Sequence, residues 1–172
     1  EGKRFVDEGA DFRNYTYAKY GREILNQPGM LCWQVFDQKV TSMLRDEYRI
    51  RRVTKVTANT LEELVEKMEG VEPKQALKTL NEYNAAVDTK TEFNPAVLDG
   101  RGTPGLEIPK TNWANTLDEG PYEAYGLGCG ITFTFGGLRI DPNTGGVLDT
   151  DLQEIPGLYA AGELVGGLFY FN

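Results

Sequence analysis

The residues best suited to chemistry cluster in a glycine-rich stretch near the C-terminus, which reads IPGLYAAGELVGG over residues 155–167. Gly162 and the small Ala161 let the backbone approach a flat or charged ligand closely, because no large side chain intervenes. The carboxylate of Glu163 can accept hydrogen bonds from sugar hydroxyl groups. On spacing alone, a tight turn between sheet elements explains this stretch about equally well. The pattern therefore indicates a candidate ligand contact and leaves a turn as the alternative.

Histidine is absent from all 172 residues, which excludes several kinds of site. A Ser-His-Asp triad, a histidine zinc site and histidine acid–base catalysis cannot be built from this chain. The two cysteines, Cys32 and Cys129, are too few for a structural zinc site. Their apolar neighbours favour buried thiols over a disulfide. We therefore expect no metal site.

The charge balance constrains the partners. The net charge is −8, whereas a nucleic-acid surface shows clustered Lys and Arg, so no nucleic-acid partner is expected. The one basic run, Arg49-Ile50-Arg51-Arg52, is short and is more simply a solvated face. No apolar run approaches the length of a membrane span, and the charged start EGKRFVDEGADF does not resemble a signal peptide. We therefore expect a cytoplasmic protein.

The first two thirds of the chain read as helix-rich. Hydrophobic periodicity, capping residues and the placement of Pro and Gly define the elements. The pattern predicts a short strand near residues 4–6, a helix over 15–26 and a buried strand over 30–36. A helix capped by Asp37 and reaching Tyr48 follows, and then a strand over 53–57. The capping box T-x-x-E opens a helix over 60–68, Pro73 begins a helix over 73–87, and residues 88–118 form a long loop.

The last third has the character of sheet. Residues 122–135 alternate or run apolar, as strands do, and Gly136-Gly137 and Asn143-Thr144-Gly145-Gly146 then separate short strands. Such turn residues between apolar runs are typical of a β-ribbon. The sequence therefore predicts an α+β fold, with a helix-rich first part and a glycine-rich sheet segment after it.

Paired motifs at the two ends of the chain carry a family resemblance. IPGLYAAGE-x-x-GG, preceded by T-x-G-G-L-x-I-D, resembles the C-terminal flavin contact of the fumarate reductase/succinate dehydrogenase flavoprotein superfamily. GKRFVDE followed by an Arg resembles the start of that family's capping domain. The stretches GKRFVDEGADFRNYTYAKYGR, WQVFD, KTNWA and GITFTFGG are most similar to the FAD-dependent tricarballylate dehydrogenase branch, which includes the related part of flavin-type precorrin-3B synthase.

The resemblance covers essentially the whole chain and implies a domain organisation. The fold class would be α+β, a capping (substrate-lid) domain of a flavoprotein with adjoining antiparallel β segments, and the FAD-binding Rossmann core would be missing. Residues 1–14 would be a linker strand from the FAD domain, and residues 15–125 the helix-rich capping domain. Residues 126–172 would be truncated return strands of the FAD-binding domain, so the chain would be a fragment that stops before the closing FAD helix.

The same resemblance implies a catalytic residue, Arg13. In fumarate reductases, an Arg shortly after the GKRF-x-x-E motif transfers the substrate proton, and Arg13 matches it with a spacing from Glu8 that is one residue longer. Because a guanidinium is permanently charged, Arg13 also suits a carboxylate clamp. Considered without the resemblance, Arg13 is more simply a surface residue that precedes a helix.

The resemblance further implies contacts to substrate and cofactor. Where fumarate reductases carry His-x-Thr/Asn-x-Gly-Gly, this chain has TFTFGG, which implies substrate contacts at Thr132 and Phe133 and a substrate other than simple fumarate or succinate. A core-facing strand explains most of the same pattern. The cofactor contacts would be Ala161, Gly162 and Glu163, with the last bound to ribityl or ribose hydroxyl groups of FAD.

The implied function is part of an FAD-dependent oxidoreductase that dehydrogenates a small polycarboxylic acid, with tricarballylate to cis-aconitate as the specific reaction. Its partners would be the carboxylic-acid substrate, the rest of the FAD-binding domain and an electron acceptor. The alternatives are a fumarate reductase-like enzyme, a corrin-biosynthesis flavoprotein and a non-catalytic binding module. No G-x-G-x-x-G strand-turn-helix occurs in the chain, so by itself it is expected to bind FAD negligibly and to be inactive. The apolar tail, Leu168 to Phe171, predicts a dimer of the fragment.

Overall fold

The computed structural model describes residues 1–131 and 135–168. The chain divides into two compact units, which we call the first unit (Glu1–Cys129) and the second unit (Gly130–Asn172). The predicted substrate contacts Thr132 and Phe133 lie outside the described residues, as does the tail from residue 169 on which the predicted dimer mostly depends. The assignment of these segments to a capping domain and to return strands remains a prediction.

Four α-helices form in the first unit, and local sequence signals account for where they begin. The Thr60 hydroxyl accepts a hydrogen bond from the Glu63 backbone N–H at 3.2 Å, which confirms the predicted cap. Pro73 occupies the first turn of its helix, and the Glu72 carboxylate accepts from the N–H of Lys74 at 3.2 Å. The helices are α1 (Arg13–Leu25), α2 (Gln38–Thr41), α3 (Leu61–Glu66) and α4 (Pro73–Ala86).

A three-stranded antiparallel sheet lies beside these helices. Its strands are β1 (Leu31–Phe36), β2 (Lys55–Ala58) and the central β3 (Tyr122–Gly128), in the order β1-β3-β2. The core of the first unit forms where α3 packs on this sheet. Leu64 and Ala124 are completely buried there, and Val65 is 2% exposed. This burial supplies the main stabilisation of the first unit, because removal of apolar area from water is the dominant favourable contribution to folding.

Two predicted elements were wrong. Residues 4–6 form no strand, and the Arg4 guanidinium instead donates to the carbonyl oxygens of Val6, within the segment, and of Ile108 in the long loop. The helix capped by Asp37 ends at Thr41 and is followed by a separate 3-10 turn, Asp46–Arg49. Its cap is as predicted, since Asp37 accepts from the Lys39 N–H at 3.1 Å. Val, Thr and Ser are poor helix formers, and they occupy positions 40–42.

The cysteines also differ from expectation. Cys32 is partly buried and Cys129 is exposed, and neither forms a disulfide within the described part of the chain. Burial raises the pKa of the Cys32 thiol. The prediction of two buried thiols was therefore wrong for Cys129. That residue directly follows β3, where the sheet ends and solvent begins.

In the second unit, the predicted β-ribbon is confirmed. Strands β4 (Gly146–Leu148) and β5 (Glu154–Tyr159) pair in antiparallel register, and a 3-10 turn, Gly162–Leu164, follows. Gly145 turns the chain before β4 with a φ of 74°, a left-handed conformation that glycine adopts without strain. No helix in the described part of the chain is both long and apolar enough to cross a membrane.

Candidate functional site

Arg13 is the first residue of α1 and its side chain is exposed. No hydrogen bond or ion pair of its guanidinium occurs among the described residues. The N-cap residue, Phe12, supplies no side-chain cap, and the first turn of α1 contains no acidic residue. The positive end of the helix dipole and the guanidinium charge thus lie together, and the Asp11 carboxylate beside them accepts a hydrogen bond from the Phe12 N–H at 2.7 Å. This place on the first unit suits a carboxylate from outside the unit.

The charge of Arg13 also acts on the neighbouring segment around Tyr48. Burial raises the pKa of the Tyr48 hydroxyl, and the positive charge of Arg13 partly offsets that rise. The hydroxyl donates a hydrogen bond to Gln34 Oε1 at 2.6 Å. The pKa of the Glu47 carboxyl is lowered, first by its own backbone N–H and then further by Arg45 and Arg13. The charge of Arg13 therefore acts on both the Tyr48 hydroxyl and the Glu47 carboxyl.

The segment before α1 is fixed by the KTNWA motif in the long loop. The Thr111 hydroxyl donates to Asp7 Oδ2 at 2.8 Å, and the Thr111 backbone N–H donates to Asp7 Oδ1 at 3.1 Å. The buried Asn112 amide donates to the carbonyl oxygen of Gly9 at 2.8 Å. A Cβ on Gly9 would lie 2.3 Å from the Asn112 carbonyl oxygen, so only glycine permits this approach. The motif therefore anchors the chain just before the helix that carries Arg13.

Lys110, at the start of the same motif, is largely withdrawn from solvent. Burial lowers the pKa of its ammonium group, and the carboxylates of Glu8 and Asp7 partly counteract this. A Cβ on Gly9 would also approach Lys110 Cγ at 2.9 Å, which shows how tightly the two segments pack. Lys110 thus contributes packing and charge balance beneath the N-terminal segment.

The predicted cofactor contacts Ala161, Gly162 and Glu163 are consecutive and exposed in the second unit. Gly162 has a φ of 75°, and a Cβ there would meet no atom of residues 1–131 and 135–168 within 4 Å. The backbone face of Ala161 and Gly162 is thus open to a ligand. Glu163 lies in the 3-10 turn beside that face. The three residues are exposed next to one another, and their role as cofactor contacts remains a prediction.

The turn that carries Glu163 is held by backbone hydrogen bonds to Leu138, which forms an isolated β-bridge with Val165. The Leu138 N–H donates to the Leu164 carbonyl at 2.8 Å, and the Gly166 N–H donates to the Leu138 carbonyl at 3.0 Å. A Cβ on Gly137 would lie 2.5 Å from both the Gly166 nitrogen and the Leu164 oxygen. The glycine-rich pattern is therefore a requirement of backbone packing here as well as a ligand signal.

Sequence reasoning missed two residues of the long loop, Asp99 and Trp113, that contribute to the structure around the start of α1. The Asp99 carboxylate accepts hydrogen bonds from three backbone N–H groups, including that of Trp113 at 2.9 Å. The Trp113 ring packs against Phe12 with centroids 5.2 Å apart. Trp113 lies in the KTNWA motif, but nothing local in the sequence pairs position 113 with position 12.

Comparison with known proteins gives a consistent result. The family described as "FAD binding domain" matches residues 1–172. The fumarate reductase (cytochrome) of Shewanella frigidimarina is 35% identical over the whole chain, and the NADH:acrylate oxidoreductase of Vibrio harveyi is 32% identical over the whole chain. The open conformation of a flavocytochrome c3 fumarate reductase superposes over 96% of the chain with a TM-score of 0.72 and 27% identity. The chain spans 27% of the Shewanella protein, 16% of the Vibrio protein and 26% of the flavocytochrome chain.

FAD is the cofactor that these matches indicate, and the second unit offers surfaces that fit part of it. The open backbone at Gly162 permits the close approach that a sugar or ribityl chain needs. The Glu163 carboxylate is an acceptor for hydroxyl groups at the same place. Glu163, Gly162 and Ala161 are the residues of this chain that would hold FAD.

Proposed function

The chain belongs to the FAD binding domain family, and on this premise we propose that it is part of an FAD-dependent oxidoreductase acting on a small carboxylic acid. The observation that carries the proposal is Arg13, an exposed guanidinium without an ion pair among the described residues, at the first turn of α1. A permanently charged, planar donor group matches the geometry of a carboxylate.

Each unit has a separate role in this proposal. The first unit contains the proposed capping domain, residues 15–125, and Arg13, at the end of the linker before it, binds a substrate carboxylate and assists the base that takes up the substrate proton. FAD, when bound, accepts or supplies the hydride. Oxidation removes a hydride and a proton from adjacent carbons and leaves a carbon–carbon double bond, and reduction is the reverse. The second unit contacts the cofactor through Ala161, Gly162 and Glu163, and Thr132 and Phe133 contact the substrate.

The substrate we propose is tricarballylate, which would be oxidised to cis-aconitate. Its support is the sequence TFTFGG, where Thr132 and Phe133 replace the histidine pattern of fumarate reductases. Thr132 can donate one hydrogen bond but carries no charge, so a simple dicarboxylate would lose a cationic partner. Fumarate reduction is the second candidate, and the 35% identity to a fumarate reductase over the whole chain favours it.

Purified full-length flavoprotein tests the proposal. We expect turnover of tricarballylate with an artificial electron acceptor, and slower or no reduction of fumarate and acrylate by reduced viologen. Fast fumarate reduction without tricarballylate oxidation would show that fumarate, and not tricarballylate, is the substrate. A flavoprotein that binds FAD and turns over none of the three acids would contradict the proposed activity.

The chain alone is expected to bind FAD negligibly, because the pyrophosphate of FAD needs a glycine turn at a helix N-terminus. Glu163 and its neighbours supply only one or two hydrogen bonds, each worth about 1 kcal/mol net. A micromolar site requires roughly 8 kcal/mol. Titration of residues 1–172 with FAD, followed by flavin fluorescence, measures this, and stoichiometric micromolar binding would contradict it.

A further inference from the structure

Trp113 has a backbone conformation that large side chains rarely adopt. Its φ is 57°, in the left-handed region where glycine and asparagine are the usual residues. Such a conformation costs free energy and persists only where the surrounding structure imposes it. Strained residues of this kind concentrate at functional sites. The contacts of Trp113 therefore indicate whether it has a functional role.

Three hydrogen bonds impose this conformation. The Trp113 backbone N–H donates to Asp99 Oδ1 at 2.9 Å. Its indole Nε1–H donates to the carbonyl oxygen of Val97 at 2.8 Å and to that of Asn94 at 3.1 Å. Asp99 is itself fixed, because it also accepts from the backbone N–H groups of Arg101 at 2.9 Å and Asn94 at 3.1 Å. Both the backbone and the ring of Trp113 are therefore held by the loop of residues 94–101.

The ring held in this way presses on the residue that precedes Arg13. The Trp113 and Phe12 rings have centroids 5.2 Å apart and planes inclined at 48°. Phe12 is the N-cap position of α1 and makes no side-chain cap, and the contact with the Trp113 ring holds its side chain next to the first turn. The Phe12 carbonyl then accepts from the Tyr15 N–H at 2.9 Å as the helix begins. Arg13 follows directly on this fixed residue.

We propose that Trp113 is a positioning residue for Arg13, acting through the ring of Phe12. The proposal rests on the function assigned above to Arg13. The loop around Asp99 fixes the Trp113 ring through hydrogen bonds, and the ring in turn fixes Phe12 by direct contact. The first turn of α1 then holds the guanidinium in the orientation that a substrate carboxylate needs. A small misplacement of such a group reduces the rate strongly.

The test is a double-mutant cycle in the full-length flavoenzyme, with tricarballylate, fumarate or acrylate, whichever the wild type turns over. Trp113→Gly suits the left-handed backbone but removes the ring, and we expect it to lower kcat/KM by on the order of tenfold to a hundredfold. Trp113→Phe retains a ring against Phe12 and should restore much of the activity. In an Arg13→Lys background, Trp113→Gly should cause little further loss, because contributions through one group are not additive.

Trp33→Phe is the matched control. Trp33 also lies in the first unit and also donates from its indole, to the Glu69 carbonyl at 3.1 Å, but it packs against the α3 core. We expect Trp33→Phe to change the unfolding midpoint but not to cause the loss of kcat/KM expected for Trp113→Gly. Thermal unfolding of every variant identifies any loss that reflects unfolding, and Trp113→Phe and Phe12→Leu provide further variants if Trp113→Gly does not fold.

The outcomes separate this inference from the proposed function. Full activity in Arg13→Ala would show that Arg13 was wrongly assigned, and both proposals would then fail. Loss of activity in Arg13→Ala together with full activity in Trp113→Gly would overturn only the positioning role. An equal loss from Trp113→Gly in the wild-type and Arg13→Lys backgrounds would also overturn it, because Trp113 would then act independently of Arg13.

Discussion

The two units of the chain are stabilised in different ways. In the first unit, Leu64 and Ala124 are completely buried and a contiguous apolar core joins α3 to the sheet. In the second unit, Val147 and Ala160 are buried, but Leu158 is 45% exposed and Leu164 is 61% exposed. Backbone hydrogen bonds, such as that from Leu138 to Leu164, and close contacts at Gly137 hold the turn of the second unit instead.

This difference has a functional counterpart in our proposal. The first unit uses its side-chain core and braced loop to present one charged side chain, Arg13. The second unit uses glycine to present bare backbone, at Gly162, to a cofactor. A charged group on a rigid helix suits substrate binding, whereas open backbone suits a large flat ligand. The following predictions test whether the two roles can be separated.

The largest effect is expected at Arg13. In the full-length flavoenzyme, Arg13→Ala should lower turnover by on the order of 10²–10⁴-fold, because it removes the proposed carboxylate clamp and proton-transfer partner. Arg13→Lys should lose most of the turnover as well, because an ammonium lacks the planar fork. The FAD content, measured by absorbance, should not change.

Arg22→Ala is the matched control for Arg13, because Arg22 is an exposed residue in the last turn of the same helix. We expect it to retain the activity. Comparable losses from the two arginines would mean that general charge, and not the start of α1, matters for turnover.

The second prediction concerns the cores. Leu64→Ala should destabilise the first unit by about 2–5 kcal/mol, as expected for a buried leucine. Leu164→Ala in the second unit should cost less than about 1 kcal/mol, because that side chain is 61% exposed. Urea denaturation of the chain measures both. Equal costs would contradict the contrast between a side-chain core and a backbone-held unit.

The third prediction uses two adjacent glycines in the second unit. Gly137→Ala should cost about 1–3 kcal/mol and weaken FAD retention, because its Cβ would lie 2.5 Å from backbone atoms of the turn that carries Glu163. A Cβ on Gly136 would meet no atom of the described residues within 4 Å, so Gly136→Ala should be tolerated. FAD content and the thermal unfolding midpoint of the full-length protein report the difference. If both variants retained FAD equally, the close contact at Gly137 would not matter to the cofactor site.

The smallest effect is a pH dependence in the loop that braces Trp113. Partial burial raises the pKa of Asp99, but hydrogen bonds from the N–H groups of Trp113, Asn94 and Arg101 outweigh it, and the net pKa is lowered. A lowered pKa in the folded state gives stability that is present above the unfolded pKa and is lost as the pH falls through the folded pKa.

Asp99→Asn should therefore flatten the decline of the unfolding midpoint between about pH 5 and pH 2, the range in which carboxylates titrate. Asp151→Asn, an exposed residue of the second unit, is the control and should leave the decline as it is. Identical pH profiles for wild type and Asp99→Asn would show that the three hydrogen bonds to Asp99 contribute little.

Some of the fold followed from local sequence. The caps at Asp37 and Thr60, the proline start of α4 and the β4–β5 ribbon were predicted because their signals lie within a few residues of the structure they produce. The predicted length of α2, as far as Tyr48, was wrong, because the helix ends at Thr41. Its cap is strong, but the weak helix formers after it end the helix early, and the cap signal alone gives no information about length.

The same division applies to the candidate site. The motif with Glu163 pointed to a flavin contact, and the structure places its three residues on one exposed surface. The sequence by itself determined which residue types are available: no histidine, two separate thiols, one Arg before a helix and a glycine-rich turn. These are properties of the chain or of short segments, so they need no knowledge of long-range contacts.

Only the tertiary structure decided what surrounds Arg13. Asp7 and Thr111 are 104 positions apart, and Phe12 and Trp113 are separated by nearly as much of the chain. Such pairs form because β1, β3 and the helices bring distant segments together, and the cost of closing those loops is met by the core as a whole. No local propensity encodes the pairing, and the left-handed backbone of Trp113 runs against the preference of its own residue type. The brace beneath Arg13 therefore exists only in the folded chain.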